Sequence, residues 1–167
     1  MASFLLRLRP YWPLVALAVS LALLAGAHAF ESFGGLVPCA LCLKQRETHW
    51  LVAGSAIAWM LALKFAPRPE LPRLACFGLG AAFLVCFGMA AYHVAVEHHW
   101  VVAQCDADLD LSDIRPMGDE TSFEAPRCDQ IPWSLFGLSM AGYNALISGA
   151  MAVLSFAVMA VRPAKGS

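Results

Sequence analysis

The chain has 167 residues, 60% of them hydrophobic and 14% charged, with a mean hydropathy of +0.65, a balance too apolar for an ordinary water-soluble domain. Its net charge of -1, from 11 basic and 12 acidic residues, excludes both the basic excess of a nucleic-acid-binding protein and the acidic excess of a disordered tail. The expectation is an integral membrane protein with one domain, residues 1–167, and six cysteines whose positions bear on its compartment.

Tyr11 to Phe30 runs 20 residues without a formal charge, enough for a helix to cross about 30 Å of hydrocarbon. Arg7 and Arg9 before it and Ala27-His28-Ala29 at its end imitate a secretory signal. Its apolar run exceeds a usual signal core, and its loss would leave only three helices, so it is read as a retained span. Thr48 to Leu63 adds 16 uncharged residues, a full span of about 46–65 if the helix begins before Gln45-Arg46-Glu47. A connection with Pro67, Pro69 and Pro72 then predicts a tight non-helical turn. Leu74 to Val96 is a third span of 23 uncharged residues, and Ser139 to Val161 is a fourth. The fold class is therefore all-α: a four-helix transmembrane bundle with spans near 11–30, 46–65, 74–96 and 139–161 and outward loops near 31–45 and 97–138. Gly78, Gly80, Gly88, Gly142 and Gly149 allow close helix contacts. Sheet is excluded, since open edges are not satisfied in lipid and barrel strands alternate.

Seven of the 11 basic residues, Arg7, Arg9, Lys64, Arg68, Arg73, Arg162 and Lys165, lie on one side, which the positive-inside rule makes cytoplasmic. Nine of the 12 acidic residues lie between Glu97 and Asp129 on the other side. Both termini are then cytoplasmic. In the acidic loop Leu109, Leu111 and Ile114 suit a short segment resting on the membrane.

Four cysteines, Cys39, Cys42, Cys105 and Cys128, fall in the outward loops, where an oxidising space allows disulfides, one pair per loop. Cys76 and Cys86 fall inside the third span and read as buried small hydrophobes. Cys39 and Cys42 form a C-x-x-C where the chain re-enters the membrane. Such a small ring is commonly exchangeable, and a helix start favours a thiolate; Pro38 suits that start. Arg46, four residues after Cys42, shares its helix face, where a guanidinium stabilises a thiolate or a reduced oxygen-bearing acceptor. The competing reading is an arginine that snorkels to headgroups. Haem attachment fails because Leu43 follows Cys42, and a four-cysteine zinc site lacks a second C-x-x-C, so no metal site is expected.

Pro38-Cys-Ala-Leu-Cys-Leu-Lys-Gln-Arg46 resembles the redox motif of the DsbB family, the quinone-dependent disulfide-generating membrane proteins of bacteria. Cys128-Asp-Gln-Ile-Pro-Trp-Ser-Leu-Phe-Gly-Leu-Ser-Met-Ala-Gly-Tyr-Asn144 resembles the stretch by which that family enters its fourth helix. The resemblance implies an inner-membrane oxidoreductase in which Cys39 and Cys42 form the quinone-linked disulfide. It implies that Cys105 and Cys128 form the disulfide offered to a DsbA-like, thioredoxin-fold periplasmic partner. Arg46 matches the family's quinone-site arginine, and His93 matches a histidine near the quinone head; a lone helix histidine is otherwise a packing or interface residue. The cofactor implied is ubiquinone or menaquinone. Two alternatives stay open: a paralogue dedicated to one substrate, and a non-enzymatic scaffold braced by structural disulfides.

Overall fold

The computed structural model describes residues 2–102 and 127–161. Cys105, Leu109, Leu111, Ile114, most of the acidic loop, Arg162 and Lys165 lie outside the described residues. Among the described residues five α-helices follow one another: α1 (Ala2–Leu8), α2 (Trp12–Ser32), α3 (Ala40–Phe65), α4 (Leu71–Glu97) and α5 (Met140–Ala160). One 3-10 turn, Arg9–Tyr11, joins α1 to α2, so Tyr11 precedes the helix. The proline-rich connection is short and non-helical, closed by the Leu71 amide donating to the Arg68 carbonyl at 3.1 Å. Pro72 then occupies the first turn of α4, where a missing N–H costs nothing.

Phe4–Ser32, Leu71–Glu97 and Met140–Ala160 are long and apolar enough to cross a membrane. The expectation of four such spans meets a difference at α3. This helix has 26 residues, but Lys44, Arg46, Glu47, His49 and Lys64 dilute its hydropathy. It packs between α2 and α4, while α4 packs most extensively on α5. Outward faces are apolar all the same: Leu51, Phe77, Val85 and Val153 are each more than half exposed. Such a surface is stable against lipid and not against water.

The core holds Trp12, Ala16, Val52, Leu79, Phe83 and Val158, and Cys76 and Cys86 are buried among them as free thiols. Small residues set the close approaches. A Cβ on Gly80 would meet the Phe156 ring at 3.0 Å, and one on Gly149 the Phe87 ring at 3.0 Å. Gly88 faces open space, so its expected contact is not made, and a Cβ on Gly142 would meet only ordinary contacts. Trp12 and Arg9 are tied across to α5. Trp12 Nε1 donates to Ser155 Oγ at 2.9 Å, and Arg9 donates to the Val158 carbonyl at 3.0 and 3.2 Å and to the Val161 carbonyl. The guanidinium thereby satisfies orphan carbonyls at the negative end of α5.

The exclusion of sheet needs one small correction. Ser134–Leu135 (β1) and Leu138–Ser139 (β2) form a two-residue antiparallel ladder. Phe136 and Gly137 between them have φ of 52° and 78°, the two positive angles a type I′ hairpin requires. The hairpin delivers Ser139 to the N-cap of α5, where its Oγ accepts the Gly142 amide at 3.1 Å.

Candidate functional site

Cys39 is the N-cap of α3. Its backbone is extended, and its Sγ accepts the Cys42 amide at 3.3 Å, so a sulfur does the work usually done by a serine oxygen. Pro38 therefore sits one residue outside the helix and not in its first turn. The Cys39 and Cys42 sulfurs stand 2.8 Å apart, sharing a thiol proton. That bond holds Cys42 down to about 7 as the thiolate partner, helped by the Cys39 backbone and the Arg46 charge and opposed by burial. Cys39, as donor in a buried place, is pushed up.

Arg46 does share the face of Cys42, but its head reaches sideways to α2. It forms an ion pair with the Glu31 carboxylate and donates to the Ala27 carbonyl at 3.1 Å. Its side chain is 14% exposed, so it is held among helices and does not snorkel. His93 comes from α4 to the same place. Its Nε2 is 3.7 Å from Cys39 Sγ and 3.9 Å from Glu97 Oε1, and its Nδ1 meets the Gln45 amide nitrogen at 2.7 Å. Cys128 is buried beside Cys39 together with Leu41 and Val96. Three cysteines and both expected binding residues thus converge on one end of the bundle; Cys105 lies outside the described residues.

The sequence reading missed the polar chain behind them. Gln45 Nε2 donates to His93 Nδ1, and Gln45 Oε1 accepts from Asn144 Nδ2 at 2.6 Å. Asn144 Oδ1 in turn accepts from His49 Nε2 at 2.8 Å and Ser148 Oγ at 3.0 Å. This chain crosses α4, α3 and α5 and is buried along most of its length. In this orientation His93 carries its proton on Nε2, the nitrogen facing Cys39, and the ring also bonds the Cys128 backbone. Glu97, also missed, is buried, with Oε2 accepting from Ser139. The available signal was spacing: Cys42, Gln45 and His49 recur at helical intervals on one face, and Asn144 interrupts an apolar run.

A cavity of about 410 Å³ opens against this cluster, lined by Cys42, Arg46, His49, His93 and Asn144 and walled by aromatic side chains. Phe30, Trp133 and Tyr143 form that wall, with ring centroids 4.9 and 6.2 Å apart along the series. Its size and its mixture of apolar wall and few polar groups suit a small organic molecule. Separately, Cys39 Sγ, Cys42 Sγ and a His93 ring nitrogen all lie within 4.8 Å of one another, a set able to converge on a metal ion.

A protein-family model described as "Disulfide bond formation protein DsbB" matches residues 9–158. The chain is 31% identical over 159 residues to "Disulfide bond formation protein B 2" of Pseudomonas entomophila (strain L48), covering 90% of this chain and 85% of that protein. It is 28% identical over 162 residues to the protein of the same description from Pseudomonas putida, covering 89% and 88%. No solved structure matches the chain.

Proposed function

The chain belongs to the DsbB family, and from that membership we propose that it is a membrane thiol-disulfide oxidoreductase that reoxidises a periplasmic DsbA-like dithiol and passes the electrons to a membrane quinone. The observation that carries this reading is the cavity in which a C-x-x-C at a helix start, Arg46 and His93 face one apolar space. Family members act in the relay that keeps the bacterial periplasm oxidising.

In the proposed sequence a partner thiolate attacks the Cys105-Cys128 disulfide, and resolution of the mixed disulfide leaves the partner oxidised and the loop pair reduced. The loop dithiol then exchanges with Cys39-Cys42. Burial of Cys128 beside Cys39 supports that contact, because exchange needs sulfur to reach sulfur. Reoxidation of Cys39-Cys42 releases two electrons and two protons as one S–S bond forms. A quinone, when bound, accepts both electrons and both protons. The residues that would hold it are Arg46 and His93 at its oxygens and Phe30, Trp133 and Tyr143 along its ring. Arg46, paired with Glu31, keeps a fixed positive charge beside Cys42. His93 presents Nε2–H to Cys39, so it can give that proton to the sulfur when Cys39 is a thiolate and take it back afterwards.

The basic residues Arg7, Arg9, Lys64, Arg68 and Arg73 support a cytoplasmic placement of the Arg9 end, which puts the cysteine cluster on the periplasmic face. The deciding assay mixes the purified chain with a reduced thioredoxin-fold dithiol and a quinone and follows quinol formation. Turnover stops in Cys42→Ser and in Cys128→Ser; turnover that persists in either refutes the relay. In Arg46→Ala the quinone-linked step slows while thiol exchange with the partner continues.

A further inference from the structure

We propose that the reduced chain binds one divalent cation of the zinc class through Cys39, Cys42, His93 and Glu97, on the polar side of the same cavity, and that the ion locks the inner cysteine pair as a dithiol. Three of the four donor atoms are already gathered, all within 4.8 Å of one another. Cys39 Sγ to His93 Nε2 is 3.7 Å, Cys39 Sγ to Cys42 Sγ is 2.8 Å, and Glu97 Oε1 lies 3.9 Å from the same imidazole nitrogen. With zinc bonds of about 2.3 Å to sulfur and about 2.0 Å to nitrogen or oxygen, tetrahedral donors sit about 3.3 to 3.8 Å apart. The thiol–imidazole distance is there already. The sulfurs must part by about 1 Å, and the Glu97 carboxylate, which stands outside the group formed by the other three donors, must swing in toward them by side-chain rotation.

Charge points the same way. Glu97 is 7% exposed and is held on Oε2 by Ser139, which leaves Oε1 turned toward His93. Its neighbour on that side is the neutral His93 imidazole 3.9 Å away, which is no counter-ion for a carboxylate this deeply buried. Two thiols and a buried carboxylate around one imidazole suit a dication, which releases the thiol protons on binding. The far side of His93 is built as metal-bound histidines are built: its Nδ1 is tied to the Gln45 amide at 2.7 Å, and Gln45 is tied to Asn144. Rotating the two amides presents Gln45 Oε1 to Nδ1–H and frees Nε2 for the ion.

The inference rests on the proposed function only in requiring that Cys39 and Cys42 can exist as a dithiol. The test reduces the full-length chain in detergent with a phosphine, removes metal, and titrates Co²⁺ as the probe, followed by Zn²⁺ competition. One Co²⁺ per chain binds with thiolate-to-cobalt absorption, Zn²⁺ displaces it, and the chain with an oxidised inner pair takes none. His93→Gln and Glu97→Gln weaken binding by about tenfold or more, and Gln45→Leu, which leaves all four donors in place, does so by about 10- to 100-fold. No uptake by chain verified as reduced, or unchanged affinity in both His93→Gln and Glu97→Gln with native helix content, overturns the site. Quinone reduction by the metal-free chain is measured in parallel. A chain that reduces quinone without taking cobalt refutes the cation site alone; one that takes cobalt without reducing quinone refutes the redox reading alone.

Discussion

Gln45 and Asn144 offer a direct test of whether the polar chain acts as one unit. Replacing Gln45 with Leu strands two partners, the buried His93 Nδ1 and the partly buried Asn144 Nδ2. Replacing Asn144 with Leu strands three: Gln45 Oε1, His49 Nε2 and Ser148 Oγ. The double variant strands only His93 Nδ1, His49 Nε2 and Ser148 Oγ, because the two groups that faced each other leave together. Interhelical hydrogen bonds in membrane bundles are worth about 0.6 kcal/mol on average and up to about 1.7. Each single variant should therefore lose about 1 to 3 kcal/mol, and the double should be about 1 to 2 kcal/mol more stable than the sum of the singles. Reversible unfolding in mixed detergent micelles reads this as a roughly tenfold departure from additivity in the unfolding constant, since 1.4 kcal/mol is a factor of ten. Strict additivity would refute the bridge between α3 and α5. A cycle that couples in stability while leaving the quinone-linked rate of Gln45→Leu at the parent value would refute its link to His93.

The thiol chemistry carries a pH signature. Because Cys42 is held to about 7, below its ordinary 9.0, its thiolate fraction rises as pH climbs from 6 to 8, and alkylation of the reduced, metal-free chain should rise with it. A profile that turns upward only near pH 9 contradicts the assignment. Arg46→Ala removes the Glu31 pairing and a charge beside Cys42, so the alkylation midpoint should move upward, whereas Arg46→Lys should keep most of the charge effect and lose the two-partner geometry. In the core, Gly80→Val drives side-chain atoms into the Phe156 ring and should cost about 1 to 3 kcal/mol in micelle unfolding. Gly88→Ala, facing open space, should unfold like the parent or slightly later.

Much of this arrangement was written in one dimension. Long uncharged runs foretold α2, α4 and α5, because lipid-facing helices must be apolar on every side. The C-x-x-C marked the start of α3, whereas Ser139 only opened an uncharged run and its capping role emerges from the structure. The polar chain was hidden for the opposite reason. Gln45 and Glu97 fell at the edges of the outward loops and His49 and Asn144 inside uncharged runs, and only the approach of α3 to both α4 and α5 makes Gln45, His49, His93 and Asn144 partners. Arg46 was placed on the right face of its helix, yet its length took the guanidinium to Glu31, a partner 15 residues earlier that periodicity on α3 does not indicate. The hairpin at Phe136-Gly137 was missed because a two-residue ladder leaves no alternation to see.

A capping sulfur alters what a mutation at Cys39 means. Serine there keeps an atom able to receive the Cys42 amide, whereas alanine leaves that amide bare and loses about 0.5 to 2 kcal/mol of helix-start stability. The two substitutions abolish the same thiol but do not produce the same protein. Their difference isolates the mechanical duty of the atom from its redox duty, and only the serine variant is a clean control for electron transfer.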